Sequence, residues 1–119
     1  MMKEAVFINF TNHPSGHWEE KQREQAEHYG RIVDVPFPDV DAAADEEYII
    51  TLANTYVAKI MEYQPHAVLC QGEFCLAYQV ISKLKALDVP VLAACSERCV
   101  REIGNKKEVV FDFVRFRRY

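Results

Sequence analysis

The sequence predicts an α/β fold built on a mainly parallel sheet with helices on both faces. Three observations predict it. Short apolar runs such as Ala5-Val6-Phe7-Ile8 and Ala67-Val68-Leu69-Cys70 read as buried strands. Between them lie stretches with helical spacing, so strand and helix periods alternate along the chain. At 119 residues, half of them hydrophobic, the chain has material for one core and is a single domain, 1–119. Right-handed crossovers then give a strand order of about 2-1-3-4, with the last strand antiparallel at an edge.

Strand one is expected over residues 4–10. A polar loop follows from Asn9 to His17, and helix one is read over 15–29, with Ser15 as its N-cap and Gly30 as its stop. Trp18, Gln22, Gln25, Ala26 and Tyr29 form its face. Strand two spans 31–37, and Pro36 and Pro38 end it and place it near an edge. Helix two, 43–63, is capped by Asp41 or Asp45. Its stripe of Tyr48, Ile49, Leu52, Ala53, Tyr56, Val57, Ile60 and Met61 reads as core.

Strand three spans 66–71. The turn Gln71-Gly72-Glu73 leads into helix three, which runs to Leu87 with Phe74, Ala77, Val80, Ile81, Leu84 and Leu87 inward. Strand four is 90–95, with Ser96-Glu97-Arg98 as a loop after it. Residues 100–103 read as a short strand or a helical turn, and Gly104-Asn105-Lys106-Lys107 as a turn. The last strand is 108–116, rich in β-branched and aromatic residues.

The net charge is −4, unevenly spread. From Arg98 onward seven basic residues face three acidic ones, while the preceding residues are strongly acidic. This basic end reads as a solvated tail, or as a positive surface for a phosphate-bearing ligand or another subunit. No extended basic stripe exists, so long nucleic acid is a poor partner. No run approaches a membrane span, and residues 1–10 lack a signal-peptide pattern, which points to a cytoplasmic protein without a membrane partner. Cys70, Cys75, Cys95 and Cys99 have spacings unlike a zinc ribbon or finger, and read as reduced structural thiols. Neither a metal site nor a bound cofactor is expected.

The familiar phosphate motifs are missing. There is no G-x-x-x-x-G-K-[ST], no G-x-G-x-x-G and no G-x-S-x-G elbow. Open parallel sheets bind ligands at the carboxyl ends of their strands. Three loops are therefore expected to converge there: residues 9–15, 71–74 and 96–98. Their candidate ligand-binding residues are Asn9, Thr11, Asn12, Ser15, Trp18, Gln71, Gly72, Glu73, Phe74, Ser96 and Glu97. Gly72 would let backbone approach a ligand closely. His13 is the candidate acid or base and Arg98 the candidate phosphate fork.

Each of these residues also has a plain structural reading. His13 caps a turn, Trp18 is core, Glu73 is a helix-end acid, and Arg98 pairs with Glu97 or Glu102. His17 and His28 read as surface residues on helix one.

The run Ile8-Asn9-Phe10-Thr11-Asn12-His13-Pro14-Ser15, with Trp18 and Gln22 after it, points to a family. So do Gly72-Glu73-Phe74, Ser96-Glu97-Arg98 and the closing Phe113-Val114-Arg115-Phe116-Arg117-Arg118-Tyr119. Over most of its length the chain resembles the small CRISPR-associated accessory proteins found beside type III systems, single-domain relatives of the CARF fold. The resemblance implies a Rossmann-like homodimer that binds a cyclic oligoadenylate. It also implies a metal-independent ring nuclease, in which a ribose 2′-OH attacks its adjacent phosphate. His13 and Arg98 would then be catalytic. The alternatives are a non-catalytic cyclic oligoadenylate sensor or sponge, and a small nucleotide-processing enzyme with Glu73 as base. A structural partner protein of toxin–antitoxin type is a further rival.

Overall fold

The structure, a computed structural model, describes residues 4–119. The first three positions of the signal-peptide reading therefore lie outside the described residues. The order of elements is β1 (Val6–Phe10), a 3-10 turn (Ser15–His17), α1 (Glu20–Glu27), β2 (Arg31–Asp34), α2 (Glu46–Met61), β3 (Ala67–Cys70), α3 (Phe74–Ala86), β4 (Val91–Ile103) and β5 (Lys106–Arg118). The five strands form one sheet in the order β2-β1-β3-β4-β5. The first four are parallel, and β5 is antiparallel to β4. The expected order and the edge position of strand two both hold.

The strands explain their own placement. Every residue of β1 and β3 is buried, because both faces of these central strands are covered. On one face Val6, Ile8, Phe10, Val68, Cys70 and Val91 pack under α2 and α3. On the other, Phe7, Leu69, Leu92, Phe113 and Phe116 pack with Ala26 of α1. Helix α2 buries Ile49, Ala53, Val57 and Ile60, four residues of the expected stripe, and Asp45 caps it by accepting from the Tyr48 amide. The C-terminus is tied back across the sheet, where the Tyr119 hydroxyl donates to the Cys70 carbonyl at 2.7 Å.

Four expectations are corrected. Helix one does not run unbroken over 15–29. Trp18 and Glu19 are extended, with ψ of 151° at both, so a 3-10 turn is followed by a short α1 and Ser15 caps neither. The break has a cause: the Trp18 indole N–H donates to the His13 carbonyl at 3.0 Å, while the ring packs edge-on to Phe7. Phe74 and Leu87 do not face the core, being 89% and 53% exposed. Glu73 is the N-cap of α3, which leaves Phe74 in the solvent-facing first turn.

The third correction is the largest. Ser96, Glu97 and Arg98 are not a loop. They continue β4, paired with Phe113, Asp112 and Phe111 of β5. Strand four and the terminal segment form one long hairpin, closed by Gly104-Asn105 with Gly104 at φ 63°, as a two-residue hairpin turn requires. A bulge between Cys95 and Ser96 leaves Val114 without a partner. Past it the hairpin leaves the core as an arm. The radius of gyration is 16.0 Å, against about 13.5 Å for a compact chain of this length.

The fourth concerns Gly72. A Cβ there would lie 2.6 Å from the Phe37 ring. Within the chain itself, the close approach that demands glycine is to Phe37. Among the described residues, no helix is long and apolar enough to cross a membrane.

Candidate functional site

The loop after β1 is held by side chains from the strand before it and from its neighbour. Asn9 is 1% exposed and Thr11 5%. The Asn9 amide donates to the His13 carbonyl and to Asp34 Oδ1, both at 2.9 Å, and its oxygen accepts from Thr11 Oγ1 at 2.8 Å. Thr11 Oγ1 in turn accepts from the His13 amide at 3.1 Å. Asp34 faces Asn9 across the β1–β2 pair and also takes the Ser15 amide and hydroxyl. Arg23 of α1 closes the set by donating to the Ser15 carbonyl. Two donors thus converge on the His13 carbonyl, the Asn9 amide and the Trp18 indole, while the Thr11 hydroxyl, 3.3 Å from it, gives its one proton to the nearer Asn9 oxygen. The backbone of His13 is fixed, while its imidazole makes no hydrogen bond within the described chain.

His13 borders an open cleft of about 250 Å³. It is lined by Thr11, His13, His17, Trp18, Gln22 and Gln71, together with Glu19, Leu69 and Ala94. The cleft lies at the carboxyl ends of β1 and β3, where the chain crosses from one half of the sheet to the other. Open α/β sheets place their ligands at this point. Gln71 accepts from the Ala94 amide through its oxygen at 3.0 Å, which leaves its NH₂ group free. The lining contains two imidazoles, two carboxamides, a hydroxyl and an indole, one carboxylate and no Lys or Arg.

Of the residues expected to bind ligand, Thr11, Trp18 and Gln71 line this cleft with His13. Asn9 and Ser15 shape it from behind through Asp34. Asn12 is exposed on the loop. Gly72 lies against Phe37. Glu73 accepts from the amides of Cys75 at 3.0 Å and Leu76 at 2.7 Å, and these bonds, with Leu76 the stronger, hold its carboxyl below the usual range. The two α3 amides that an anion would use are therefore taken. Phe74 borders a different, apolar groove with Ile49, Ile50, Cys75 and Tyr78. Ser96, Glu97 and Arg98 are exposed on the arm and do not line the cleft.

Sequence reasoning missed His17 and Asp34. His17 is exposed, as its surface reading expects, but it sits on the 3-10 turn rather than a longer helix and lines the cleft. The register signal for Asp34 was available in principle, since Asn9 and Asp34 are polar residues at matched positions of adjacent strands. The four cysteines are unpaired, and burial pushes the Cys70 thiol up to about 12. Among the described residues, no three His, Cys, Asp or Glu side chains are grouped as metal ligands.

No curated protein and no solved structure matches the chain. One family model does, over residues 5–117, nearly the whole sheet and its helices. The chain belongs to that family, described as the uncharacterized protein MJ1673 family.

Proposed function

We propose that this chain binds a cyclic oligoadenylate, the second messenger of type III CRISPR immunity, and opens the ring by metal-independent attack of a ribose 2′-OH on the adjacent phosphate. The observation that carries this reading is that His13 and His17 border one cleft with Trp18 and Gln71. Imidazole is the side chain that changes charge between pH 5 and 8, so a pair of them supplies both a base and an acid. The resemblance to small CRISPR-associated accessory proteins gives the ligand class, and the sheet order suits the Rossmann-like frame that resemblance implies.

The chemistry balances without a further reactant. One neutral imidazole takes the proton of the 2′-OH as the 2′ oxygen bonds to phosphorus. The bond from phosphorus to the 5′ oxygen breaks, and the second imidazole, protonated, gives its proton to that oxygen. The product is a linear chain with a 2′,3′-cyclic phosphate at one end and a 5′-OH at the other. In-line geometry supplies much of the rate, which is why the hold of Asn9 and Trp18 on the His13 carbonyl matters. The Gln71 NH₂ group and the imidazolium face the charge that develops on the phosphoryl oxygens. The Trp18 ring, packed against Phe7 and Phe116, offers an adenine a rigid wall. Arg98 takes no part in this chain's own cleft.

Single-turnover cleavage tests the reading. His13→Ala and His17→Ala should each slow ring opening by roughly 10²- to 10⁴-fold while the ring still binds. Wild-type rates in both variants would end the reading. Binding without cleavage by the wild type would leave a sensor or sponge.

A further inference from the structure

Two apolar surfaces of the molecule stand open, one flanked by basic residues and the other by acidic ones. The first is the arm. Its strands, residues 96–103 and 106–113, pair only with each other, and a two-stranded hairpin is marginally stable at best in water. Each strand extends about 27 Å past the bulge. The register puts Arg98, Val100, Glu102, Lys107, Val109, Phe111 and Phe113 on one face. Phe113 is in the core, and the apolar stripe continues outward through Phe111, Val109 and Val100, with Phe111 62% exposed. A core stripe that runs off its own domain onto solvent marks an interaction surface.

The second surface is the groove of about 360 Å³ between the first turns of α2 and α3. Ile49, Ile50, Phe74 and Tyr78 line it, and Phe74 and Tyr78 are 89% and 68% exposed. Its rim is acidic, with Asp45 and Glu46. The arm presents cations at both ends of its apolar stripe, Arg98 and Lys107, with Glu102 matched to Lys107 across the hairpin. Apolar side chains at the centre and opposite charges at the margin are the anatomy of a protein interface.

We propose that the occupant of the groove is the arm of a second copy of this chain, and that two copies exchange arms. The topology permits a closed pair. The arm leaves the sheet past the carboxyl ends of β1 and β3, and the groove, at the N-termini of α2 and α3, opens at the same edge. Reciprocal exchange about a two-fold axis closes the assembly and leaves no free arm. The inference goes beyond the ligand reading and stands without it.

The test is the mass of the ligand-free chain by sedimentation, for the wild type, Phe111→Glu and Phe74→Glu. Both side chains are exposed, so neither charge costs folding, and circular dichroism checks this. The wild type should sediment as two chains. Each variant should raise the dimer Kd by at least roughly thirtyfold, the effect of losing a central aromatic anchor. An equimolar mixture of the two variants should regain a two-chain species, because the intact arm of one fits the intact groove of the other. A monomeric wild type would overturn the proposal. So would a Phe74→Glu variant that stays dimeric while Phe111→Glu does not, since the arm would then be seated elsewhere. Ring cleavage is assayed separately, so a failure here leaves that reading to its own test.

Discussion

Replacing Asn9 with alanine tests the loop architecture most sharply. The change removes donors to the His13 carbonyl and Asp34 Oδ1 and an acceptor for Thr11 Oγ1, all within 2.9 Å. Each neutral hydrogen bond is worth about 0.5–1.5 kcal/mol net, and the one to a carboxylate about 1.5 kcal/mol or more. Asp34 is exposed, so the lower end applies to it. The sum is about 3 kcal/mol, a large part of the 5–15 kcal/mol that holds a typical domain together. In urea, with a slope of about 2 kcal/mol per molar, the midpoint should fall by roughly 1.5 M with the slope unchanged. Asp34→Ala alone should cost less. The double variant should fall short of additivity by at least ~1 kcal/mol, because the two side chains share a bond. A loss under about 1 kcal/mol for Asn9→Ala, or strict additivity with Asp34→Ala, would refute the idea that this network sets the loop.

Three further outcomes follow from the packing. Gly72→Ala drives a methyl into Phe37, which is buried and packed 4.8 Å from Phe10, and should cost about 1–3 kcal/mol in thermal or urea unfolding. Pairing it with Phe37→Leu should recover part of that loss. The Glu73 carboxyl is held below its usual range by the Leu76 and Cys75 amides, so its capping contribution is present above the unfolded pKa of about 4.3 and fades as pH falls through the folded value. Glu73→Ala should therefore lower stability by about 1 kcal/mol at pH 7, and wild type and variant should converge in acid. Cys70, buried with its thiol pushed up to about 12, should resist a disulfide reagent until the protein unfolds, whereas exposed Cys75 should react in the native state.

Much of the frame was legible in the sequence. The fully apolar runs at residues 6–8 and 67–70 could only be two-sided buried strands, and with them the crossovers and the edge position of strand two followed. The cap of α2 followed as well, from an acidic residue just before the apolar stripe. Two features were hidden for different reasons. The break at Trp18 depends on an indole bond to a carbonyl five residues back, which residue spacing does not encode. The outer strand 108–116 was legible from its β-branched and aromatic residues, but its partner was hidden, because residues 96–98 bury almost nothing, carry no apolar alternation and read as a loop. The structure thereby separated two residues expected together. His13 stays at the cleft, and Arg98 goes out along the arm. Phe74 kept helical spacing with the core residues, yet Glu73 caps the helix just before it, and it faces the groove instead.

The central claim is ring opening at the His13–His17 cleft. Its most direct measurement is incubation of the purified chain with cyclic tri-, tetra- and hexa-adenylate in EDTA, followed by mass spectrometry. The account predicts linear oligoadenylate ending in a 2′,3′-cyclic phosphate with at least one ring, and its loss in the His13→Ala, His17→Ala double variant. Rings that stay intact with the wild type, or products that form equally with the double variant, would contradict it.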